Sequence, residues 1–259
     1  MYKRILEFPV LALALSALCI IGCKKDPEVP TPEPTPPGLA TPVKLTVQPV
    51  WNGAPFNPQS HYLTPSGQQV QVGLVKFYLA HFTVVENGIQ DRLFDADLFD
   101  VTNGPLTRVL SMNAVSPHEL RFGLGLPPEI NHIDIATIPP NDPTGNNSGM
   151  YWTWASMYRF VLFEGHFDTD LTNTGPLPYN FSLHTGLDTC YRERSIPINL
   201  QTSADDTIRI TLLVDVSRFF TNGADTLNLT QGSSWHGEVD NINLAIKVAN
   251  LESAAFSVE

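Results

Sequence analysis

The residues of this chain best suited to chemistry are two tryptophans and a set of histidines. Two of the four tryptophans, Trp152 and Trp154, fall in the run Gly149-Met150-Tyr151-Trp152-Thr153-Trp154. Read as a strand, 150–163 has a period of two that places Met150, Trp152 and Trp154 on one face and Tyr151, Thr153 and Ala155 on the other. Such a pair serves either as a core anchor, since each aromatic side chain buries ~150–250 Å², or as the wall of a site. An indole nitrogen only donates a hydrogen bond, so unmodified tryptophans are not metal ligands. Imidazoles are, and the chain has seven histidines. His132 and His184 flank the tryptophan segment, in Asn131-His132 and His184-Thr185-Gly186. His81 lies on an apolar strand, and His166 closes the strand carrying the tryptophans. His61 precedes Tyr62 in a loop, while His118 and His236 read as ordinary exposed positions. With no His-x-x-x-His, Cys-x-x-Cys or methionine-rich run, spacing alone does not define a metal site.

Signatures of catalysis are missing too: there is no Gly-x-Ser-x-Gly elbow, phosphate loop or zincin helix, so the chain reads as a binding protein and not an enzyme. Asp168-Thr169-Asp170-Leu171-Thr172-Asn173 starts like a calcium loop but lacks its glycine and terminal glutamate, and reads as a solvated turn. The formal net charge of −11 excludes nucleic acid as a natural partner, because such a surface repels polyanions.

The elements that must position these residues are mostly strands. Apolar alternation or β-branched runs occur near 43–50, 68–85, 93–100, 118–124, 158–163, 194–200, 206–216 and 241–248, separated by clusters of Gly, Pro, Asn and Asp. No window holds a 3.6-residue apolar period over four turns, although Val216-Ser217-Arg218-Phe219-Phe220 can form one helical turn after a strand. The expectation is an all-β chain, a single-domain antiparallel β-sandwich of Greek-key type with long loops. The longest of these, 138–149, delivers the chain to the tryptophans.

The N-terminus has a different character. Basic Lys3 and Arg4 precede an apolar run from Val10 to Ile21 that is too short to span a bilayer. It ends in Ile20-Ile21-Gly22-Cys23, which resembles a bacterial lipobox and implies a signal peptide over 1–22 and lipidation of Cys23. Residues 23–42 are proline-rich and extended, a tether holding the domain 43–259 some tens of ångströms from the lipid at roughly 3 Å per residue. The chain is therefore expected in a bacterial cell envelope, as an outer-membrane lipoprotein facing the periplasm or the cell surface. With Cys19 in the signal peptide and Cys23 lipidated, Cys190 has no disulfide partner.

Several segments together resemble a known family. These are Val75-Lys76-Phe77-Tyr78-Leu79, Gly125-Leu126-Pro127, Asn131-His132, Met150-Tyr151-Trp152-Thr153-Trp154, Tyr158-Arg159-Phe160, Glu164-Gly165, and His184-Thr185-Gly186 with Cys190. Their order is similar to that of the MbnP-like proteins, exported copper-binding β-sandwich proteins related to methanobactin-associated and methanotroph surface copper proteins. The resemblance implies copper as cofactor, and oxidation of a tryptophan, Trp152 or Trp154, to kynurenine by a di-haem peroxidase-type partner enzyme. It makes His132 and His184 the first imidazole ligands to consider, with His166 and His81 behind them. Some family members have a cysteine able to pair with the one after His-x-Gly, which this chain lacks, and Met157-Tyr158 stands where Gly-Tyr is common. The competing reading is a lipid-anchored module that binds glycan or protein without metal, through Trp51 or Trp235. Burial separates the two, because glycan binding needs indoles flat on the surface.

Overall fold

Buried Val43, Leu45 and Val47 alternate with outward Lys44, Thr46 and Gln48, the pattern of a strand with one face in a core. This is β1 (Thr41–Trp51), followed by the short β2 (Ala54–Pro55) and β3 (Tyr62–Leu63). The 18-residue β4 (Gln69–Glu86) turns back into β5 (Ile89–Asp100). Asn87 and Gly88 at that turn both have positive φ, 51° and 83°, the geometry that suits a tight hairpin. Next come β6 (Leu106–Met112), β7 (Glu119–Leu124), the single-turn α1 (Pro128–Asn131), β8 (Tyr151–Trp152), β9 (Met157–Tyr158), β10 (Val161–Asp168) and β11 (Tyr179–Leu183). The chain ends with β12 (Arg192–Pro197), β13 (Ile208–Asp215), β14 (Ser234–Trp235), α2 (Ile242–Ser253) and β15 (Phe256–Val258). This computed structural model describes residues 40–114, 116–152, 157–200, 207–237 and 241–259, all within the compact unit Pro37–Glu259. The expected signal peptide, Cys23, the tether up to residue 39, and Trp154 lie outside the described residues.

Two mixed sheets share one core. The first runs β15-β13-β1-β2 with β6 also on β1; the second runs β12-β7-β4-β10-β11-β14, with β3 and β5 also on β4. Phe256 of β15 packs edge-on against Phe77 of β4 and Phe122 of β7, with ring centroids 5.4 Å apart in both cases, so aromatic contacts tie the sheets together. The β8–β9 hairpin is a separate two-stranded piece.

The all-β class and the single β-rich domain are as the sequence implies, with three differences. β1 pairs with β13 in parallel over eight residues, because alternation reveals which face a strand buries but not its direction. The expected strand 241–248 is α2: Ile242, Leu244, Ile246 and Val248 alternate, yet the buried face is Ala245, Val248, Ala249 and Glu252 at helical spacing. At 12 residues it is shorter than a four-turn window. The tryptophan segment is not continuous with 158–163 either, because Tyr151–Trp152 folds back on Met157–Tyr158 before β10 begins.

Candidate functional site

β10 and β11 pair antiparallel with Glu164 opposite Ser182. Phe163, Phe181 and Leu183 point into the core, so alternation sends Glu164, Ser182 and the next residue but one, His184, to the other face. β14 lies parallel to β11 with Ser182 beside Ser234 and Leu183 beside Trp235. The His184 amide donates to the Trp235 carbonyl at 2.9 Å. Trp235 is buried in the core, at 1% exposure, which turns Ser234 and His236 outward beside His184. The imidazoles of His184 and His236 stand 4.7 Å apart, centroid to centroid.

Trp152 covers this pair. Its ring centroid lies 5.4 Å from that of His184 and 5.8 Å from that of His236. The long loop before it is pinned at several points. The Tyr78 hydroxyl donates to the Pro143 carbonyl at 2.8 Å, Tyr158 to that of Thr144 at 2.6 Å, and the Lys76 ammonium to that of Ser148 at 2.8 Å. Burial pushes the Tyr158 phenol up to about 12, so it stays a donor. After the hairpin, the Arg159 amide donates to the Met150 carbonyl at 2.7 Å. The Arg159 guanidinium lies over the Trp152 ring, 4.6 Å from its centroid, and also donates to the Gly149 carbonyl. A cation over an indole face is held by the ring quadrupole.

Under this cover His184 is only 5% exposed. Its Nε2 lies 2.5 Å from Glu164 Oε1 and 3.0 Å from Ser182 Oγ, and Ser182 Oγ is 2.9 Å from His236 Nε2. Burial pushes the His184 imidazole down to about 4 against the opposing pull of Glu164, with His236 and Arg159 adding to the fall. The ring is therefore neutral near pH 7, the form that can bind a metal. Its other nitrogen, Nδ1, is buried and has no hydrogen-bond partner. Ser182, His184 and Glu164 do not make a nucleophilic relay, since hydroxyl and carboxylate meet the same imidazole nitrogen, whereas a relay uses both.

Of the sequence candidates, the structure brings Trp152 and His184 together and leaves three histidines elsewhere. His132 caps α1 at the surface, its Nε2 3.0 Å from Asp188. The buried member of the Asn131-His132 pair is Asn131, which donates to Asp188 at 2.9 Å and accepts from the Tyr158 amide at 3.3 Å. His81 sits at an irregularity in β4 with φ 51°, its Nε2 3.4 Å from Glu129. His166 is exposed on β10 opposite Asn180. Cys190 is buried in the core, and burial pushes its thiol up to about 11, which keeps it protonated. Met157 is 40% exposed. Among the described residues, no three His, Cys, Asp or Glu side chains are grouped to hold a metal ion.

Two site residues, His236 and Ser182, are not indicated by the sequence, and Glu164 and Arg159 stand in its motifs without a role. His236 follows Trp235 directly, and alternation alone puts the two on opposite faces. The tryptophans offered for glycan binding are both in the core: Trp235 as described, and Trp51 at 7% exposure, stacked on Tyr62 at 4.1 Å. Neither presents a flat indole to solvent.

The model of the MbnP family matches residues 40–237, a stretch that ends one residue past His236. Among solved structures, MbnP from Methylosinus trichosporium is similar with a TM-score of 0.50 and 14% identity, covering 85% of this chain and 98% of that one. At that identity the likeness is one of fold. No curated protein matches.

Proposed function

We propose that this chain, which belongs to the MbnP family, binds copper through His184, His236 and a kynurenine formed from Trp152. The observation that carries the reading is the buried, unpartnered Nδ1 of a neutral His184 beside both His236 and Trp152. Two imidazoles suit Cu(I) but are one donor short of a three-coordinate site. The indole nitrogen cannot supply that donor. Oxidative cleavage of the indole C2–C3 bond with addition of two oxygen atoms, followed by hydrolysis that releases C2 as formate, leaves an aryl amine with an available lone pair beside a ketone. The oxidant would come with a di-haem peroxidase-type partner enzyme, as family resemblance suggests. In this reading the chain is a binding protein and the substrate of another enzyme. It is held in the cell envelope by the lipid on Cys23, facing the periplasm or the cell surface.

Peptide mass spectrometry of the protein purified from its native host tests the proposal. The peptide spanning the hairpin should gain about 4 Da over its encoded mass, with the fragment ions placing the change on Trp152 and not Trp154. The purified protein should also retain copper against a competing chelator. An unmodified peptide together with no retained copper would sink the reading.

A further inference from the structure

The contacts of His184 say which of its nitrogens faces the metal. An ionised carboxylate has no hydrogen to give, so the 2.5 Å contact between Glu164 Oε1 and His184 Nε2 requires the hydrogen on Nε2. A neutral imidazole has one N–H, which leaves the lone pair of Nδ1 bare. That atom is the one buried without a hydrogen-bond partner. Ser182 Oγ lies 3.0 Å from the same His184 Nε2 and 2.9 Å from His236 Nε2, so one hydroxyl bridges the two imidazoles.

Glu164 stands where the backbone is irregular. The β4–β10 register shifts between Glu164 and Gly165, and a Cβ at Gly165 would lie 2.2 Å from the Gln71 carbonyl oxygen. A Cβ there has no room unless the Gln71 carbonyl shifts, so glycine stands at the irregularity directly beside Glu164. A buried lone pair left unsatisfied carries the full cost of its desolvation, and no hydrogen bond among the described residues offsets it. A metal ion would.

Resting on the copper reading above, we propose that Glu164 is a positioning residue that fixes His184 as the Nε2–H tautomer, so that Nδ1 is the metal-ligating atom. A carboxylate that accepts the remote N–H of a ligating histidine holds the ring's orientation and raises its basicity, and its removal typically costs 10–100-fold in metal affinity.

The test begins with the metal-free, unmodified chain. Long-range proton–nitrogen NMR on selectively labelled histidine should show His184 protonated at Nε2 with Nδ1 bare. In Glu164→Leu that preference should collapse into a mixture, whereas Glu164→Gln, which keeps an accepting oxygen, should restore it. With the modified protein and Cu(I) alone as probe, competition against a chelator should give a 10–100-fold weaker affinity for Glu164→Leu and near wild-type affinity for Glu164→Gln. Hydrogen on Nδ1 in the wild type, or an unchanged tautomer and affinity in Glu164→Leu, would overturn the proposal. A wild-type Nε2–H tautomer in a modified chain that binds no copper would uphold the positioning of the ring and overturn the ligand assignment together with the copper reading.

Discussion

Burial of a neutral His184 should make the fold acid-sensitive in a defined window. The ring's ordinary value is 6.5, and the fold pushes it to about 4, mainly by burial. Between those values the unfolded chain binds a proton that the folded chain does not, so stability rises with pH there. The contribution is fully present above pH 6.5 and is lost as pH falls through about 4. The fall from 6.5 to about 4 corresponds to ~3 kcal/mol, a substantial part of a typical domain's roughly 5–15 kcal/mol. The perturbation is His184→Gln, which has no titrating group. Urea unfolding of both proteins at pH 7, 6, 5 and 4 gives the difference in stability between them, and that difference cancels every other titrating group to first order. It should shift against the wild type by about 3 kcal/mol from pH 7 to pH 4. A flat difference, or one moving in the wild type's favour as pH falls, would refute the reasoning, the latter because it would mean that Glu164 outweighs burial and holds the ring charged.

Three other outcomes are expected. His236→Ala should abolish tight copper binding, whereas His132→Ala, which removes only a surface contact with Asp188, should leave chelator-competition affinity within a few-fold of wild type. Glu252 has no exposed surface, and burial raises its carboxyl well above the usual range while Thr185 Oγ1 donates to it at 3.0 Å. Its stabilising contribution is present below the unfolded value and lost as pH rises, so Glu252→Gln, which keeps the acceptor, should gain on the wild type in urea melts from pH 5 to pH 8. Gly165→Ala must displace the Gln71 carbonyl or break the bulge, with an expected loss of about 1–3 kcal/mol, read as a lower melting temperature.

What the sequence made legible was parity, and what it hid was direction and coverage. Strands β1 and β13 are plain in the alternation of Val43, Leu45 and Val47 and of Ile208, Ile210 and Leu212, because one face of each is in the core. The parallel pairing of β1 with β13 left no trace, since side-chain alternation is the same in either direction. Helix α2 was concealed by alternating Ile242, Leu244, Ile246 and Val248, a run that satisfies period two while its buried set follows 3.6. At the site, Trp152 and His184 stood out through family resemblance. The same resemblance points to His132, although its neighbour Asn131 is the one that turns inward. His236 reads as an exposed position because the hairpin that covers it leaves no mark in its own neighbourhood of the sequence.

The same alternation that builds the core also builds the site. Once Phe163, Phe181, Leu183 and Trp235 are committed inward, Glu164, Ser182, His184 and His236 have no choice of face, and three neighbouring strands place them side by side. That face would normally be solvated, which is why the pinned loop and the β8–β9 hairpin matter: they lay Trp152 and Arg159 over the imidazoles and bury His184 on an otherwise outer sheet surface. Helix α2 lies beyond the family-matched stretch 40–237, yet its Glu252 holds Thr185. The Thr185 carbonyl in turn accepts from the Phe160 amide at 2.6 Å. One residue thus links His184 on one side with the strand leaving Arg159 on the other. The cover and the ligands are braced from beneath by a segment that the family model does not reach, so the rigidity of the site is a property of the whole domain.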